Sequence, residues 1–178
     1  NKLLQIYAEN DDCDCIEYAV DMSNLAMVFD RLQLYPQAEK YYKQAAELKK
    51  RCGGESLSYA DTLNNLAIVY NQTNRQTEAL RLHRKVMEIR EAKLGREHVD
   101  FLHSLYHIGN TYELLGEYDK AIEYHAMALR NNTFSTLELA DVHGALARAY
   151  EAKGNYKKAI YYYEICLDLI EKARGCDT

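Results

Sequence analysis

The sequence predicts an all-α array of paired antiparallel helices, and three observations carry that prediction. Small residues return at Ala26, Ala67, Gly109 and Ala147, spaced 41, 42 and 38 residues apart. Three residues after each stands an aromatic, Phe29, Tyr70, Tyr112 and Tyr150, and twelve after each stands an alanine, Ala38, Ala79, Ala121 and Ala159. The 178 residues hold one proline and no tryptophan, and the glycines fall mainly between apolar runs of helical period. Self-similarity at this period is the mark of helical solenoids, propellers or arrays.

The first pair is expected over about 16–52. From Ile16 to Leu32 the apolar residues Val20, Leu25, Met27, Val28 and Leu32 recur at three- and four-residue steps, predicting a helix with a broad buried face. Pro36 suits the first turn of the second helix, where its missing N–H is harmless. Ala38, Tyr42, Ala45, Ala46 and Leu48 form that helix's inner stripe, and Gly53-Gly54 ends it. The second pair, about 56–94, places Asn74 at the turn and Gly95 at the end. The third, about 99–131, turns at Gly116, and the 38-residue step after it predicts a shortened second helix ending near Asn131. The fourth, about 136–172, turns at Gly154. Short polar connections give no domain boundary inside the chain, which reads as a single array over 1–178. KLLQIYAEN at the start has the look of the tail of an earlier helix, and ARGCDT at the end that of a connection onward, so a segment of a longer array is expected.

Close helix crossings explain the small residues, and the aromatics fill the space beside each crossing. Tyr42 and Tyr163 are read as packing residues on that ground. Composition excludes several function classes. With 22 basic against 27 acidic residues and a net charge of -5, the chain lacks the basic footprint of a nucleic-acid binder. No apolar run approaches a membrane span, and no signal peptide opens the sequence, so a cytoplasmic setting is expected. Five irregularly spaced cysteines, Cys13, Cys15, Cys52, Cys166 and Cys176, are read as reduced thiols.

The five-place pattern of Ala26, Phe29, Ala38, Tyr42 and Ala45, met again in Ala147, Tyr150, Ala159, Tyr163 and Cys166, resembles the tetratricopeptide repeat family over about residues 16–172. The long period, with EIREAKLGREHVD at Glu88–Asp100, is similar to the kinesin-light-chain subgroup, although Val99 stands where that subgroup commonly has proline. The resemblance implies a right-handed superhelical solenoid and a concave groove, lined by the first helix of each pair, that takes a peptide or a partner's helix.

Carried over by position, the groove presents Ser23, Asn24, Met27 and Arg31; Asn64, Asn65, Ile68 and Asn71; His103, Tyr106, His107, Asn110 and Glu113; then Asp141, Arg148 and Glu151. Asn24, Asn65 and Asn110 could pair with a peptide backbone, since an amide offers donors and an acceptor; solvated surface amides are the alternative. The lysine-rich carboxylate clamp of some relatives is missing, and Arg31 and Arg148 are outnumbered by Asp30, Asp61, Glu113, Asp141 and Glu151. The expected partner is therefore a protein or peptide that is neutral, apolar or mildly basic rather than strongly acidic.

No phosphate-cradling glycine loop, nucleophile elbow or paired carboxylates point to catalysis, and no cofactor is expected. His103 and His107 have the four-residue spacing of a metal pair without an evident third ligand, and Cys13-Asp14-Cys15 is a weak metal signal. Three readings follow: a non-enzymatic adaptor or scaffold binding in the groove, a structural spacer or self-association module without a peptide ligand, and a metal-dependent activity around the two histidines.

Overall fold

A computed structural model describes residues 12–130 and 133–175, and eight α-helices run through them. They are α1 (Asp12–Arg31), α2 (Tyr35–Gly53), α3 (Leu57–Gln72), α4 (Gln76–Leu94), α5 (Val99–Leu114), α6 (Tyr118–Ala128), α7 (Thr136–Ala152) and α8 (Tyr156–Ala173). Backbone contacts gather the chain into two compact units, Asn1–Lys93 and Leu94–Thr178. The opening residues read as an earlier helix, and Cys176 near the end, lie outside the described residues.

Each pair is closed by the same turn. After α1, α3, α5 and α7 the third helical carbonyl from the end takes a hydrogen bond from a residue five positions on: Leu34 N donates to Phe29 O, Arg75 N to Tyr70 O, Glu117 N to Tyr112 O and Asn155 N to Tyr150 O, all at 2.8–2.9 Å. This geometry needs a left-handed residue between. Gln33 (φ 58°), Asn74 (φ 59°), Gly116 (φ 74°) and Gly154 (φ 73°) supply it at equivalent places. In three of the four turns the aromatic that lends its carbonyl also takes a cation on its ring, Arg75 over Tyr70 at 4.0 Å, Lys158 over Tyr150 at 4.8 Å and Lys120 over Tyr112 at 5.2 Å.

In the first unit Ala26, Ala38, Tyr42, Leu66, Ala67, Val69, Tyr70 and Ala79 form one buried cluster, where α1, α2, α3 and α4 meet. A second joins Ala46 on α2 to Tyr59, Ala60 and Leu63 on α3 and to Val86 and Ile89 on α4. In the second unit the helices α5, α6, α7 and α8 pack in sequence. Ala121, Ala128, Ala145, Leu146 and Ala147 are buried there. Gly109 is the extreme of the small-residue rule. A Cβ on it would lie 2.5 Å from the His125 ring, so the imidazole occupies the space an alanine would fill. Helix starts follow side-chain caps: Ser56 accepts from Tyr59 N, and Ser135 with Glu138 completes a capping box at α7. The helix α6 has only 11 residues, against 19 in α2 and α4.

Three expectations are corrected. The broad apolar face of α1 is buried on one side only: Ala19, Met22 and Ala26 are covered, whereas Val20, Leu25, Val28 and Leu32 are exposed. Helix α3 has α2 packed before it and α7 has α6, but α1 has a described neighbour on its α2 side alone. For the same reason Tyr163 on α8 is exposed where Tyr42 on α2 is buried. The cysteines, read as reduced, include a disulfide between Cys15 and Cys52, with Cα atoms 6.6 Å apart. Antiparallel packing brings the start of α1 beside the end of α2, a juxtaposition that a linear separation of 37 residues does not announce. Cys166 is free and half-buried, and the Cys13 side chain lies outside the described residues.

Candidate functional site

In the first unit the predicted residues sit on α1 and α3, which are tied by the Ser23 and Thr62 hydroxyls at 3.3 Å. Asn24 and Arg31 are exposed, Met27 is half-buried against the core, and Asn65, Ile68 and Asn71 are half-buried on α3, while Asn64 is buried. Asn65 is more than a surface amide, because it hydrogen-bonds the hydroxyl of Tyr42. Burial, and then the charge of Asp30, push that phenol up to about 12, against the Asn65 hydrogen bond and the Arg31 charge, which lower it. Burial also raises the Asp30 carboxyl. One oxygen of Asp30 and the side-chain oxygen of Asn64 are buried without a hydrogen-bond partner among the described residues.

Sequence reasoning missed Lys49. Its ammonium is buried beneath the same helices and donates to the Thr62 hydroxyl at 2.8 Å and to Ser58 O at 3.4 Å. Burial lowers its pKa, with Asp61 opposing. Asp61 itself receives Arg90 at 2.8 Å, so this acidic residue is not a free groove charge.

In the second unit α5 and α7 carry the remaining residues. Nε2 of His103 lies 2.9 Å from Glu138 of α7, and its ring stacks on Phe134 at 5.2 Å. The Ser135 hydroxyl, then its backbone N–H, then His103 hold the Glu138 carboxyl below its usual range. Tyr106 contacts the His107 ring at 5.7 Å and the buried His125 ring at 5.6 Å. The Asn110 side-chain oxygen is buried without a hydrogen-bond partner among the described residues. Arg148 crosses to Glu113, with Nε 3.0 Å from Oε1. Burial works against its charge, and the Glu113 hydrogen bond and charge override that, holding the guanidinium protonated. Tyr163 donates to Glu151 at 2.8 Å, and Asp141 is exposed.

By repeat position Asn24 and Asn65 are equivalent to His107, whereas Asn110 is equivalent to Met27, Ile68 and Arg148, one turn further on. Each unit thus brings its predicted residues onto two neighbouring helices. The capping box S-x-x-E was the available signal for Glu138; nothing linear announced the Tyr42–Asn65 bond. His103 is held by Glu138 and Phe134 rather than by a second histidine, and among the described residues no group of three or more His, Cys, Asp or Glu could hold a metal ion.

Repeated helix pairs of this kind define an all-α repeat solenoid, a class that works through extended binding surfaces. Tetratricopeptide repeat profiles match residues 19–92, 58–133 and 142–177. The chain belongs to the tetratricopeptide repeat family. No curated protein matches its sequence. Among solved structures, BtubC (BKLC) from P. vanneervenii aligns with a TM-score of 0.80 at 21% identity, over 88% of this chain and 65% of that one. The nearly identical kinesin-light-chain TPR-like repeats of Podosopora anserina align at 0.76 with 21% identity, over 88% and 76%. MamA aligns at 0.66 with 18% identity, over 88% and 81%. The chain spans less than two thirds of the length of BtubC.

Proposed function

We propose that this chain is a non-enzymatic adaptor that captures a peptide or helix of a partner protein on the α1/α3 face of the first unit and, separately, on the α5/α7 face of the second. The family fold supports a protein-interaction scaffold in general, and one observation carries the finer reading. The side-chain oxygens of Asn64 and Asn110 are buried without a donor among the described residues. A buried acceptor left unpaired costs about 1–3 kcal/mol, and turning the amide outward to accept from a backbone N–H of a bound segment would remove that cost. The ligand is neutral, apolar or mildly basic, since the Arg148 charge is already committed to Glu113. We also place the chain in the cytoplasm. There the Cys15–Cys52 pair would be held as two thiols, and recovery of the linked form from thiol-trapped cells would overturn that placement.

The test is a peptide-array and pull-down comparison of wild type with Asn64→Ala, Asn110→Ala and the double variant, each checked for helicity. The expected result is a peptide class held by wild type and lost on double substitution. Normal capture by a folded double variant would refute the groove assignment. Asn65→Ala is unsuitable as a lone probe, because losing its bond to Tyr42 would disturb the core as well.

A further inference from the structure

Each first helix carries an acid or an amide four residues past its small crossing residue: Asp30, Asn71, Glu113 and Glu151. The two glutamates are engaged. Glu113 on α5 receives Arg148 of α7, with Nε at 3.0 Å, and Glu151 on α7 receives the Tyr163 hydroxyl of α8 at 2.8 Å. Asp30 on α1 has neither kind of partner. Ile68 stands on α3 at the place Arg148 holds on α7, and the Tyr42 hydroxyl, the equivalent of Tyr163, is bonded by Asn65. One Asp30 oxygen is buried without a hydrogen-bond partner, and the carboxyl makes no ion pair among the described residues.

This carboxyl belongs to the side of α1 that meets α2 and α3. Its charge acts on the Tyr42 phenol of α2, which Asn65 of α3 holds, so carboxyl, phenol and amide converge from three helices. Burial strips hydration from the carboxylate with no cation to replace it, and raises its pKa accordingly. Asp30 as a whole is only half-buried, so an incoming group can reach it. Arg31 is exposed and is the next residue along the helix, a spacing at which side chains do not face each other.

Resting on the peptide-capture reading above, we propose that Asp30, with the Tyr42 hydroxyl and the Asn65 amide beside it, is a cation subsite that takes an arginine or lysine side chain of the captured segment. The second unit supplies the template. The ligand's charged head stands to Asp30 as Arg148 stands to Glu113, and its methylene stem lies over the half-buried Ile68. Arginine is preferred, because its planar fork matches a carboxylate bidentately. The ligand class narrows from neutral or mildly basic to one that is positive at this point.

Two probes test this on the whole chain. N-acetylarginine amide and its uncharged analogue N-acetylcitrulline amide are titrated in turn while NMR follows the Asn65 side-chain amide. Wild type is expected to bind the arginine compound at least about tenfold more tightly than the citrulline compound. Asp30→Asn should abolish the difference, and so should Ile68→Arg, which supplies the cation from the chain itself. Circular dichroism checks that both variants stay helical. The second probe is an array of peptides that differ only by arginine, lysine, citrulline or glutamate at one position, on which wild type should favour the two cations and Asp30→Asn should not. Equal binding of the two small compounds by wild type, or a preference that survives in folded Asp30→Asn or Ile68→Arg, overturns the proposal. Peptides held without charge preference overturn it and leave the adaptor reading intact. An array that holds nothing overturns the adaptor reading alone, the small compounds still deciding the cation subsite.

Discussion

Substituting Gly109 by alanine tests the most crowded crossing in the molecule. The new Cβ would stand 2.5 Å from Cε1, 2.6 Å from Nδ1 and 2.9 Å from Nε2 of His125. Favourable carbon contacts lie near 3.5–4.0 Å, so the imidazole must retreat by roughly 1 Å. It has little room to do so, being fully buried and in ring contact with Tyr106. Overpacking of this kind costs about 1–3 kcal/mol. Alanine returns about 1 kcal/mol in helix propensity over glycine. With three ring atoms in conflict the cost belongs at the upper end, leaving a net loss of about 2 kcal/mol. For a chain of this size that lowers Tm by about 4–8 °C.

The sign should reverse once the ring is gone. In a His125→Ala background Gly109→Ala loses its steric penalty and keeps its propensity gain, so it should stabilise by about 1 kcal/mol, a coupling of about 3 kcal/mol between the two sites. Urea and thermal unfolding followed by far-UV circular dichroism give the four stabilities, and hydrogen exchange of α5 and α6 shows that the change is local. Equal effects of Gly109→Ala in both backgrounds would refute the packing of His125 over Gly109.

His125 also links stability to pH. Burial, and then the charge of Arg148, lower its pKa from 6.5 to about 4. Between those values the unfolded chain binds the proton and the folded one does not, so stability is full above pH 6.5 and falls as pH drops towards 4. The loss is about 2 kcal/mol by pH 5 and about 3 kcal/mol below pH 4; chemical denaturation across this range, with the pH dependence of His125→Asn subtracted, checks it. Reducing the Cys15–Cys52 disulfide should cost about 2–4 kcal/mol, read as faster hydrogen exchange in α1 and α2 with α7 and α8 unchanged. Gln33→Gly should stabilise by about 0.5–1 kcal/mol, since φ is 58° there and glycine carries no left-handed penalty. Urea unfolding would contradict this if the variant were weaker than wild type.

The helix pairs were legible because one repeat unit writes the same constraint four times. Asn74, Gly116 and Gly154 announced their turns by residue type, whereas Gln33 adopts the same left-handed conformation with nothing in its chemistry to signal it. Gly109 was readable as a small residue at a crossing, but the histidine ring that requires it was not. His125 occupies the place that Tyr42 and Tyr163 hold elsewhere, and only packing shows what lies beneath. The candidate groove positions were assigned by register alone. Their partners did not, since Asn65 to Tyr42, Arg148 to Glu113 and His103 to Glu138 are contacts between helices. Periodicity marks the apolar face of a helix but is silent about whether another helix covers it, which is why Leu25 and Val28 read as core and prove exposed.

That silence has a physical consequence for the division of labour in the chain. A first helix must satisfy its own partner helix, the preceding pair and the proposed ligand face with one period of 3.6 residues. On α3 these demands fall on adjacent residues: Leu66 and Val69 pack against α2, Ala67 and Tyr70 mark the crossing, and Asn65 and Ile68 lie half-buried on the face proposed for the ligand, with Asn64 buried beside them. Asn65 serves two of them, holding the Tyr42 hydroxyl while lying half-exposed. Ligand contact there would compete for an amide that already contributes to the fold. Asn64 and Asn110, whose oxygens have no such duty among the described residues, are the positions at which the proposed binding would add a hydrogen bond without removing one.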